Sequence, residues 1–373
     1  MPASSPLLDL PGAVAADDRG VAAHYGAPLI EQRSLAEGNA LVDRSDHGVI
    51  SVSGPDRLSW LDSMTSQALT RLPAGEGAET LLLDPQGRIE FAIRVVDDGE
   101  TAWLLVEPGR AEGLFAFLNR MRFTLRVEVI DRSEELGVLG AFAGGSAAEA
   151  IAGLPGVIAT WTDPWAAVQR GGWLYAAAEG HPGNDWSYRE VILPRESLAQ
   201  ASALVRAGTV RAAGSMSLDA LQILAWRPSQ NGEVDERSLP HEVDWLRSAV
   251  HLEKGCYRGQ ETVAKVHNLG HPPRRLVLLH LDGSSGELPA AGTLVYPKGG
   301  DKPVGRVTRA ALHHEWGPVA LALLKRNTAE DAPLEIRLER EDGTLGETLA
   351  AAQQTIVPPG AGATRDVPRL PRL

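Results

Sequence analysis

The sequence predicts an α+β protein with two antiparallel α+β units and a small β-barrel at its C-terminal end. Between residues 41 and 208, the spacing of apolar residues alternates between a period of two, typical of strands, and a period of 3.6, typical of helices. After His271-Pro272-Pro273, a rigid linker, short apolar runs are separated by Gly, Pro and Asp. This second pattern is typical of a barrel or a sandwich of short strands.

The first unit is predicted to begin at residue 41. Residues 1–40 are rich in Ala, Pro and Asp, and we expect them to wrap over the body with a strand at His24 to Ile30. Alternating residues then predict a strand at 47–53, and Asp56 can cap a helix over residues 57–64. The tetrapeptide Asp84-Pro85-Gln86-Gly87 is a strong turn signal. It joins predicted strands at 80–83 and 88–96, which are followed by a strand at 102–107 and a helix at 109–121.

Residues 132–208 are predicted to form a second, ferredoxin-like α+β domain. Its strands are expected at 136–141, 156–160, 166–169, 173–177 and 191–193, and its helices at 147–152 and 195–207. Residues 209–271 return to the first unit, so the first domain, 41–131 and 209–271, is discontinuous. An amphipathic helix at 217–226 ends at Arg227-Pro228. The barrel takes residues 272–354, and residues 355–373 are predicted to be a disordered tail.

Composition limits the function classes. The chain has 373 residues and a formal net charge of −12, which disfavours non-specific attraction to nucleic acid or anionic lipid. One cysteine excludes an intrachain disulfide and any cysteine-rich metal centre held by one chain. His313-His314-Glu315 is predicted to be a solvated loop rather than a metal site. The N-terminus has no basic region followed by an apolar run, so we expect a cytoplasmic protein with no membrane partner.

The single cysteine, Cys256, lies in the most distinctive stretch of the chain, Leu252 to His271. A helix is predicted to begin after Gly259, and Lys254 and Arg258 flank the thiol. Basic neighbours and a helix N-terminus lower the pKa of a thiol, so Cys256 is a candidate reactive group activated by Lys254. The alternative is that Cys256 is a small buried apolar residue, which is common for a lone cysteine.

Residues 254–261, KGCYRGQE, match the octapeptide K-G-C-[FY]-x-G-Q-E. On this motif the chain resembles the YgfZ family, the folate-binding relatives of the glycine-cleavage T-protein (aminomethyltransferase). Further stretches that resemble family segments lie at residues 47–61, 82–89, 227–233 and 239–242. The resemblance therefore extends from about residue 40 to about residue 350.

This resemblance implies a fold and a function. The fold is the T-protein architecture, in which two α+β units and a C-terminal barrel surround a central channel for tetrahydrofolate or a one-carbon derivative. The implied role is assembly or repair of iron–sulfur proteins, including enzymes that modify tRNA. The implied partners are folate and iron–sulfur proteins or their assembly factors.

Folate requires a carboxylate or an amide for its pterin edge, a flat apolar wall and basic groups for its glutamate tail. The candidate binding residues are Trp226, Arg227, Glu233, Tyr257, Gln260 and Glu261. Each of the first four is equally compatible with a core or surface role. The T-protein also carries a carboxylate two residues after its equivalent of Arg227, where this chain has Ser229.

The T-protein hairpin ends in paired aspartates, one of which is needed for aminomethyl transfer, whereas this chain has Glu90-Phe91. Phe91 cannot act as an acid or a base, so ordinary aminomethyltransferase activity is not expected. Three functions stay open: a folate-binding accessory protein that works through Cys256, a folate-dependent one-carbon transferase for a small amine, and a scaffold with a vestigial folate pocket.

Overall fold

The computed structural model describes residues 4–176, 179–284, 286–339 and 345–364. Its strands are β1 Val14–Ala15, β2 Ala22–His24, β3 Ala40–Asp43, β4 Gly48–Ser53, β5 Gly77–Leu83, β6 Ile89–Asp97, β7 Thr101–Val106, β8 Glu128–Asp131, β9 Leu136–Phe142, β10 Ala159–Thr162, β11 Tyr188–Pro194, β12 Arg211–Ala213, β13 Arg274–Leu281, β14 Leu294–Pro297, β15 Gly305–His313, β16 Gly317–Lys325, β17 Leu334–Glu339 and β18 Leu345–Thr355. Its α-helices are α1 Pro28–Ala36, α2 Arg57–Met64, α3 Ala111–Met121, α4 Ser146–Ala152, α5 Leu198–Arg206, α6 Ser215–Leu224, α7 Gln230–Glu233 and α8 Gln260–Leu269. Within these ranges, no helix has the length and apolar character needed to cross a membrane.

The first sheet is continuous in sequence. Its strand order is β5-β6-β7-β4-β8, all neighbours are antiparallel, and every strand lies between residues 48 and 131. Apolar side chains of α2 and α3, including Leu61 and Leu114, are buried together with strand residues such as Leu82 and Leu104. The alternation and turn signals of this region therefore predicted both helices and four of the five strands, whereas β8 was not predicted.

The second sheet is assembled from distant segments. Its order is β10-β11-β9-β3-β12. β3 pairs with β9 in antiparallel orientation and with β12 in parallel orientation. The predicted boundaries at residues 41 and 209 placed β3 and β12 with the first domain, but both strands are hydrogen bonded in the second sheet. The first sheet is therefore an insertion between two adjacent strands of the second.

The C-terminal unit is a closed barrel of six strands in the order β13-β16-β15-β14-β17-β18. Its interior is packed with apolar side chains such as Val277, Val307 and Ile336. The tail was predicted to be disordered from residue 355. Instead, Val357 is buried and its N–H donates to the carbonyl of Leu276 at 3.1 Å. The defined course continues to residue 364, and residues 365–373 lie outside the described residues.

Two predicted strands near the N-terminus and in the second domain are wrong. The strand predicted at residues 24–30 is replaced by a turn and then by α1, because Pro28 occupies the first helical turn and the Glu31 carboxylate accepts the N–H groups of Tyr25 and Ala27 at 2.8 and 3.0 Å. The strand predicted at 166–169 is absent from the described structure. Asp163 caps a 3₁₀ turn there by accepting the N–H of Trp165 at 3.1 Å.

The strand predicted at 173–177 is also wrong for the residues that the structure describes, 173–176. Its N–H groups bond to a neighbouring loop instead of a sheet. Trp173 donates to the carbonyl of Leu246 at 3.0 Å, and Tyr175 donates to the carboxylate of Asp244 at 2.9 Å. Ala177 itself lies outside the described residues. This segment therefore holds the loop at 240–251, which lines the site described next.

Candidate functional site

Two glycines bring the hairpin of the first sheet against the start of α8. Gly87 and Gly259 have φ angles of +78° and +83°, which side-chain-bearing residues rarely adopt. A Cβ on Gly259 would lie 2.6 Å from the carbonyl oxygen of Asp84 and 3.0 Å from the Cα of Gly87. The contact is therefore backbone against backbone, and it fixes the segment that carries Cys256 onto the hairpin.

Cys256 is exposed, so the alternative of a buried apolar residue is wrong. The thiol lies four residues before α8 begins at Gln260, so it is not at the helix N-terminus. The Lys254 ammonium donates to the carbonyl oxygens of Asp62, Thr65 and Gln67, the last two at 2.8 and 2.9 Å. Burial lowers the pKa of Lys254. The main contacts of this ammonium are thus with the last turn of α2 and the residues that follow it.

Arg258, the other predicted basic neighbour, has its own partners. It makes a bidentate ion pair with the Glu90 carboxylate at 2.5 and 3.2 Å, and its guanidinium lies 5.3 Å from the centre of the Phe117 ring. Glu90 therefore holds the octapeptide loop in place. The carboxylate that replaces the T-protein aspartates is engaged in an ion pair on the first sheet.

A large pocket borders the cysteine loop. We call it the junction pocket; its volume is about 820 Å³, within the usual range of small-molecule sites. Lys254 and Gly255 line it, and the next residue in sequence, Cys256, is not among its lining residues. Its other lining residues are Asp62, Gln67, Ala68, Thr70, Arg71, Leu72, Pro73, Glu76, Gly77, Ala78, Glu79, Gln169, Arg170, Ser248, His251 and Glu253.

Glu79 is the buried carboxylate of this pocket, with an exposed fraction of 3%. It accepts hydrogen bonds from Arg227 Nη2 at 2.6 Å, from Trp245 Nε1 at 3.2 Å and from Ser248 Oγ at 2.6 Å. These donors come from the segment between α6 and α7 and from the 240–251 loop. Glu79 thus joins the first sheet to the segment that leads to Cys256.

Behind Glu79 lies a narrow cavity, also lined by Arg94, Glu107, Arg227 and Trp245. Its volume of about 10 Å³ admits no more than about one water molecule. Arg94 Nη1 lies 3.1 and 3.0 Å from the two carboxylate oxygens of Glu190. Buried ion pairs between Glu79 and Arg227 and between Arg94 and Glu190 therefore lie at this narrow cavity.

The structure places the predicted folate-binding residues in different environments. Arg227 lines the narrow cavity, donates to Glu79 and Asp163, and has an Nη1 atom without a partner among the described residues. Glu233 is completely buried and accepts hydrogen bonds from the Ser229 N–H and from Thr308 and Arg309 of the barrel. Glu233 is not among the residues that line either cavity. It ties α7 to the barrel.

The remaining predicted residues lie around the cysteine loop or in the core. Trp226 is buried against His181, with ring centres 5.0 Å apart, and is not a lining residue of either cavity. Tyr257 is also buried, which raises the pKa of its hydroxyl. Gln260 donates to the carbonyl of Lys254 at 3.2 Å, and Glu261 is exposed on the first turn of α8. These contacts shape the loop rather than the pocket wall.

Sequence reasoning missed Glu79, Arg94 and Glu107. Glu79 and Arg94 face each other as cross-strand partners on β5 and β6. A charged residue in a strand ordinarily indicates a solvent-facing position, because strands alternate between two faces. The available signal was the position of Glu79 within an otherwise apolar run, Glu79-Thr80-Leu81-Leu82-Leu83. Its partners lie more than 140 residues further along the chain, beyond the reach of local patterns.

Titratable groups couple the packing of the 240–251 loop, which supplies two donors to Glu79, to pH; two lie in the loop, and the third, His181, lies 2.9 Å from Arg247 Nη1. Burial lowers the pKa of His241 to about 3, and burial with the nearby Arg247 charge lowers the pKa of His181 to about 4. Burial raises the pKa of Asp244 to about 7. The two histidines are therefore neutral in the folded protein near pH 5, where unfolded histidines are protonated.

We predict that the free energy of unfolding falls as the pH drops from 6.5 to 5. In this window the unfolded state binds more protons than the folded state at His241 and His181. Each of these groups therefore lowers the free energy of unfolding by up to about 1.4 kcal/mol for every pH unit of acidification. Asp244 acts in the opposite direction, because its folded form holds a proton between about pH 4 and 7. Urea unfolding at several pH values measures the sum.

Two variants separate these contributions. His241→Gln should flatten the pH profile, and Asp244→Asn should make the loss on acidification steeper, because it removes the opposing group. A profile that is flat in the wild type, or identical in the His241→Gln variant, would contradict the assignment.

Comparison with known proteins gives the same architecture. Residues 25–172 match the model of the GCVT N-terminal domain. The chain is 27% identical to an aminomethyltransferase from Symbiobacterium thermophilum over 268 residues, covering 68% of this chain and 70% of that protein. It is 27% identical to the tRNA-modifying protein YgfZ from Edwardsiella ictaluri over 324 residues, covering 84% of this chain and 94% of that protein.

A solved structure confirms the fold class. The aminomethyltransferase T of the glycine cleavage system from Bartonella henselae superposes with a TM-score of 0.72 at 21% identity. The match covers 93% of this chain and 94% of the Bartonella protein. The mixed α+β body and the C-terminal barrel are thus shared over nearly the whole length.

Proposed function

The chain is a relative of the aminomethyltransferases and of the tRNA-modifying protein YgfZ, and we propose that it is a tetrahydrofolate-binding accessory protein for the assembly or repair of iron–sulfur proteins. The observation that carries this proposal is the exposed Cys256 thiol, which directly follows Lys254 and Gly255 of the junction pocket wall in the sequence. The name of the YgfZ relatives supports tRNA-modifying enzymes as clients. The thiol works on a partner protein, because it is open to solvent.

The residues of the junction pocket fit a folate. Its volume suits a ligand of this size, and Leu72 and Pro73 supply apolar surface. The exposed Arg71 and Arg170 supply positive charge for the glutamate tail. The buried Arg227 still has one N–H group without a partner among the described residues. Arg227 lines the narrow cavity and not the junction pocket, so its proposed role is to hold Glu79 at the pocket wall, and Glu233 and Trp226 lie outside the proposed site.

The narrow cavity is too small to hold the pterin ring of a folate. A pterin cannot enter a space of about 10 Å³, so the ring is proposed to lie in the junction pocket, on the side of Glu79 that faces the cysteine loop. The Glu79 carboxylate then orients Arg227. The same carboxylate is proposed to accept a hydrogen bond from the N–H edge of the pterin. Bound tetrahydrofolate would supply a one-carbon carrier at that position.

The contacts of Glu90 support an accessory role over aminomethyl transfer. A general acid or base must lie within hydrogen-bond reach of the reacting nitrogen. Glu90 is instead paired with Arg258, and Phe91 packs against the core of the first sheet. We therefore do not propose a catalytic acid at the hairpin.

We predict that the protein binds tetrahydrofolate. Removal of either exposed arginine, as Arg71→Ala or Arg170→Ala, should weaken the affinity for tetrahydrofolate about tenfold, which corresponds to the loss of one charge-assisted hydrogen bond. Calorimetric titration measures the dissociation constant. Arg122→Ala, an exposed arginine outside the pocket, is the matched control and should bind like the wild type. Failure to detect binding at about 1 mM ligand would leave only the scaffold function.

We predict that Cys256→Ala leaves the fold and the folate affinity intact but abolishes support of cluster-dependent enzymes. The side chain is exposed, so its truncation should change the free energy of unfolding by no more than about 0.5 kcal/mol. Complementation of a host that lacks its own homologue, read out as the activity of an iron–sulfur tRNA-modifying enzyme, measures the function. Full activity of the variant would exclude a role for the thiol.

A further inference from the structure

A second large pocket lies between α1, α6, the second sheet and the turn from β15 to β16. We call it the histidine pocket; its volume is about 670 Å³. Among the described residues it shares no lining residue with the junction pocket. Aromatic side chains of Phe142, Trp186 and Trp316 line it, and Trp316 is 59% exposed. An exposed tryptophan on a pocket wall marks a surface that is suited to a ligand.

The charges around this pocket are predominantly negative. Glu37, Asp185 and Glu315 are exposed lining residues, and Arg33 is the one cation among the described lining residues. His313 adds no positive charge at pH 7, because burial and the neighbouring imidazole lower its pKa to about 4. The wall therefore combines aromatic side chains, of which Trp316 is the exposed one, with an excess of carboxylates.

The two adjacent histidines were predicted to be solvated, but the structure buries both side chains in the pocket wall. His313 Nδ1 accepts the N–H groups of Glu315 and Trp316 at 3.2 and 3.3 Å. His314 is different. Its side chain is only 8% exposed, and its Nδ1 atom has no partner among the described residues. A buried imidazole nitrogen without a partner lacks a hydrogen bond that a ligand N–H can supply.

We propose that the histidine pocket binds an organic ammonium ion, that is, a protonated primary or secondary amine carried on an apolar or aromatic group. The aromatic walls bind the apolar part and attract the cation through their ring faces. The carboxylates balance the charge, and the His314 ring supplies an acceptor for an ammonium N–H after a small adjustment of its environment. This inference is independent of the proposed folate site, because it uses different residues.

A pair of matched probes tests the proposal. Phenethylamine is a cation at pH 7, and 2-phenylethanol has the same ring and chain without the charge. Calorimetric titration of the full chain at low salt should give binding of the amine and at least tenfold weaker binding of the alcohol, about 1.4 kcal/mol. Added salt should weaken the binding of the amine, because the carboxylates are exposed to solvent and salt screens their charge.

Variants locate the site. Trp316→Ala and Asp185→Asn should each weaken the binding of phenethylamine severalfold. Trp173 is an exposed tryptophan outside this pocket, so Trp173→Ala should bind phenethylamine like the wild type. Equal binding of the alcohol, no detectable binding of the amine, or unchanged binding in both pocket variants would each overturn the proposal. Displacement of the amine by tetrahydrofolate would also overturn it, because the pocket would then be part of the folate site.

Discussion

Replacing Glu79 by glutamine is expected to lower the free energy of unfolding by about 3 kcal/mol or more, the cost of removing one partner from a buried ion pair. The carboxylate is 3% exposed and accepts three hydrogen bonds, from Arg227, Trp245 and Ser248. Glutamine can accept at one oxygen only, and it leaves the Arg227 guanidinium with Asp163 as its remaining carboxylate. Urea unfolding of the purified variant measures the loss.

Glu76→Gln is the matched control for this prediction. Glu76 lines the same pocket three residues earlier but is exposed, so its neutralisation should change stability by less than about 0.5 kcal/mol. If both variants lose the same stability, the network around Glu79 is not what holds the pocket together. If Glu79→Gln is stable but no longer binds tetrahydrofolate, the carboxylate serves the ligand instead of the fold.

Gly259→Ala is expected to cost about 2–4 kcal/mol, the sum of a left-handed backbone strain and the displacement of a packed neighbour. The φ angle is +83°, and the added methyl group would meet the backbone oxygen of Asp84 at 2.6 Å. The hairpin would have to withdraw from α8. The reaction of Cys256 with a thiol reagent such as Ellman's reagent should then change in rate, because the loop between Lys254 and Gly259 is no longer fixed.

Gly255→Ala is the control for that substitution. Gly255 lies in the same loop, but a Cβ there would meet nothing within 4 Å, and its φ angle is not in the left-handed range. Its stability and thiol reactivity should match those of the wild type. A Gly259→Ala variant as stable as Gly255→Ala would show that the hairpin and α8 are not in the contact described here.

Local signals predicted the parts of the fold that depend on neighbouring residues. The turn at Asp84–Gly87, the helix after Asp56 and the helix after Gly259 are in place, although the Asp56 carboxylate accepts hydrogen bonds from Arg126 instead of capping its helix. The strand predicted at 173–177 failed where it is described, because the N–H groups of Trp173 and Tyr175 found partners about 70 residues away. Alternation of apolar residues cannot reveal such a partner.

The site followed the same rule. The octapeptide singled out Cys256, which is exposed, but the Lys254 ammonium, expected to act on the neighbouring thiol, donates to the carbonyl oxygens of Asp62, Thr65 and Gln67. Glu233 looked like a ligand-binding carboxylate, yet Thr308 and Arg309 of the barrel satisfy it. For both Lys254 and Glu233, the sequence shows which charged group is present but not which residues it contacts.

The insertion of the first sheet between β3 and β9 constrains the order in which the molecule is made. Just over ninety residues are synthesised between β3 and β9, and about seventy more between β9 and β12, which pairs with the other edge of β3. The intervening segment has all five of its strands in one continuous stretch and so pairs early, at low contact order. We expect the first sheet to fold first in the nascent chain, while β3 stays unpaired until β9 and β12 are made. During this period a chaperone would protect the exposed apolar strand from aggregation.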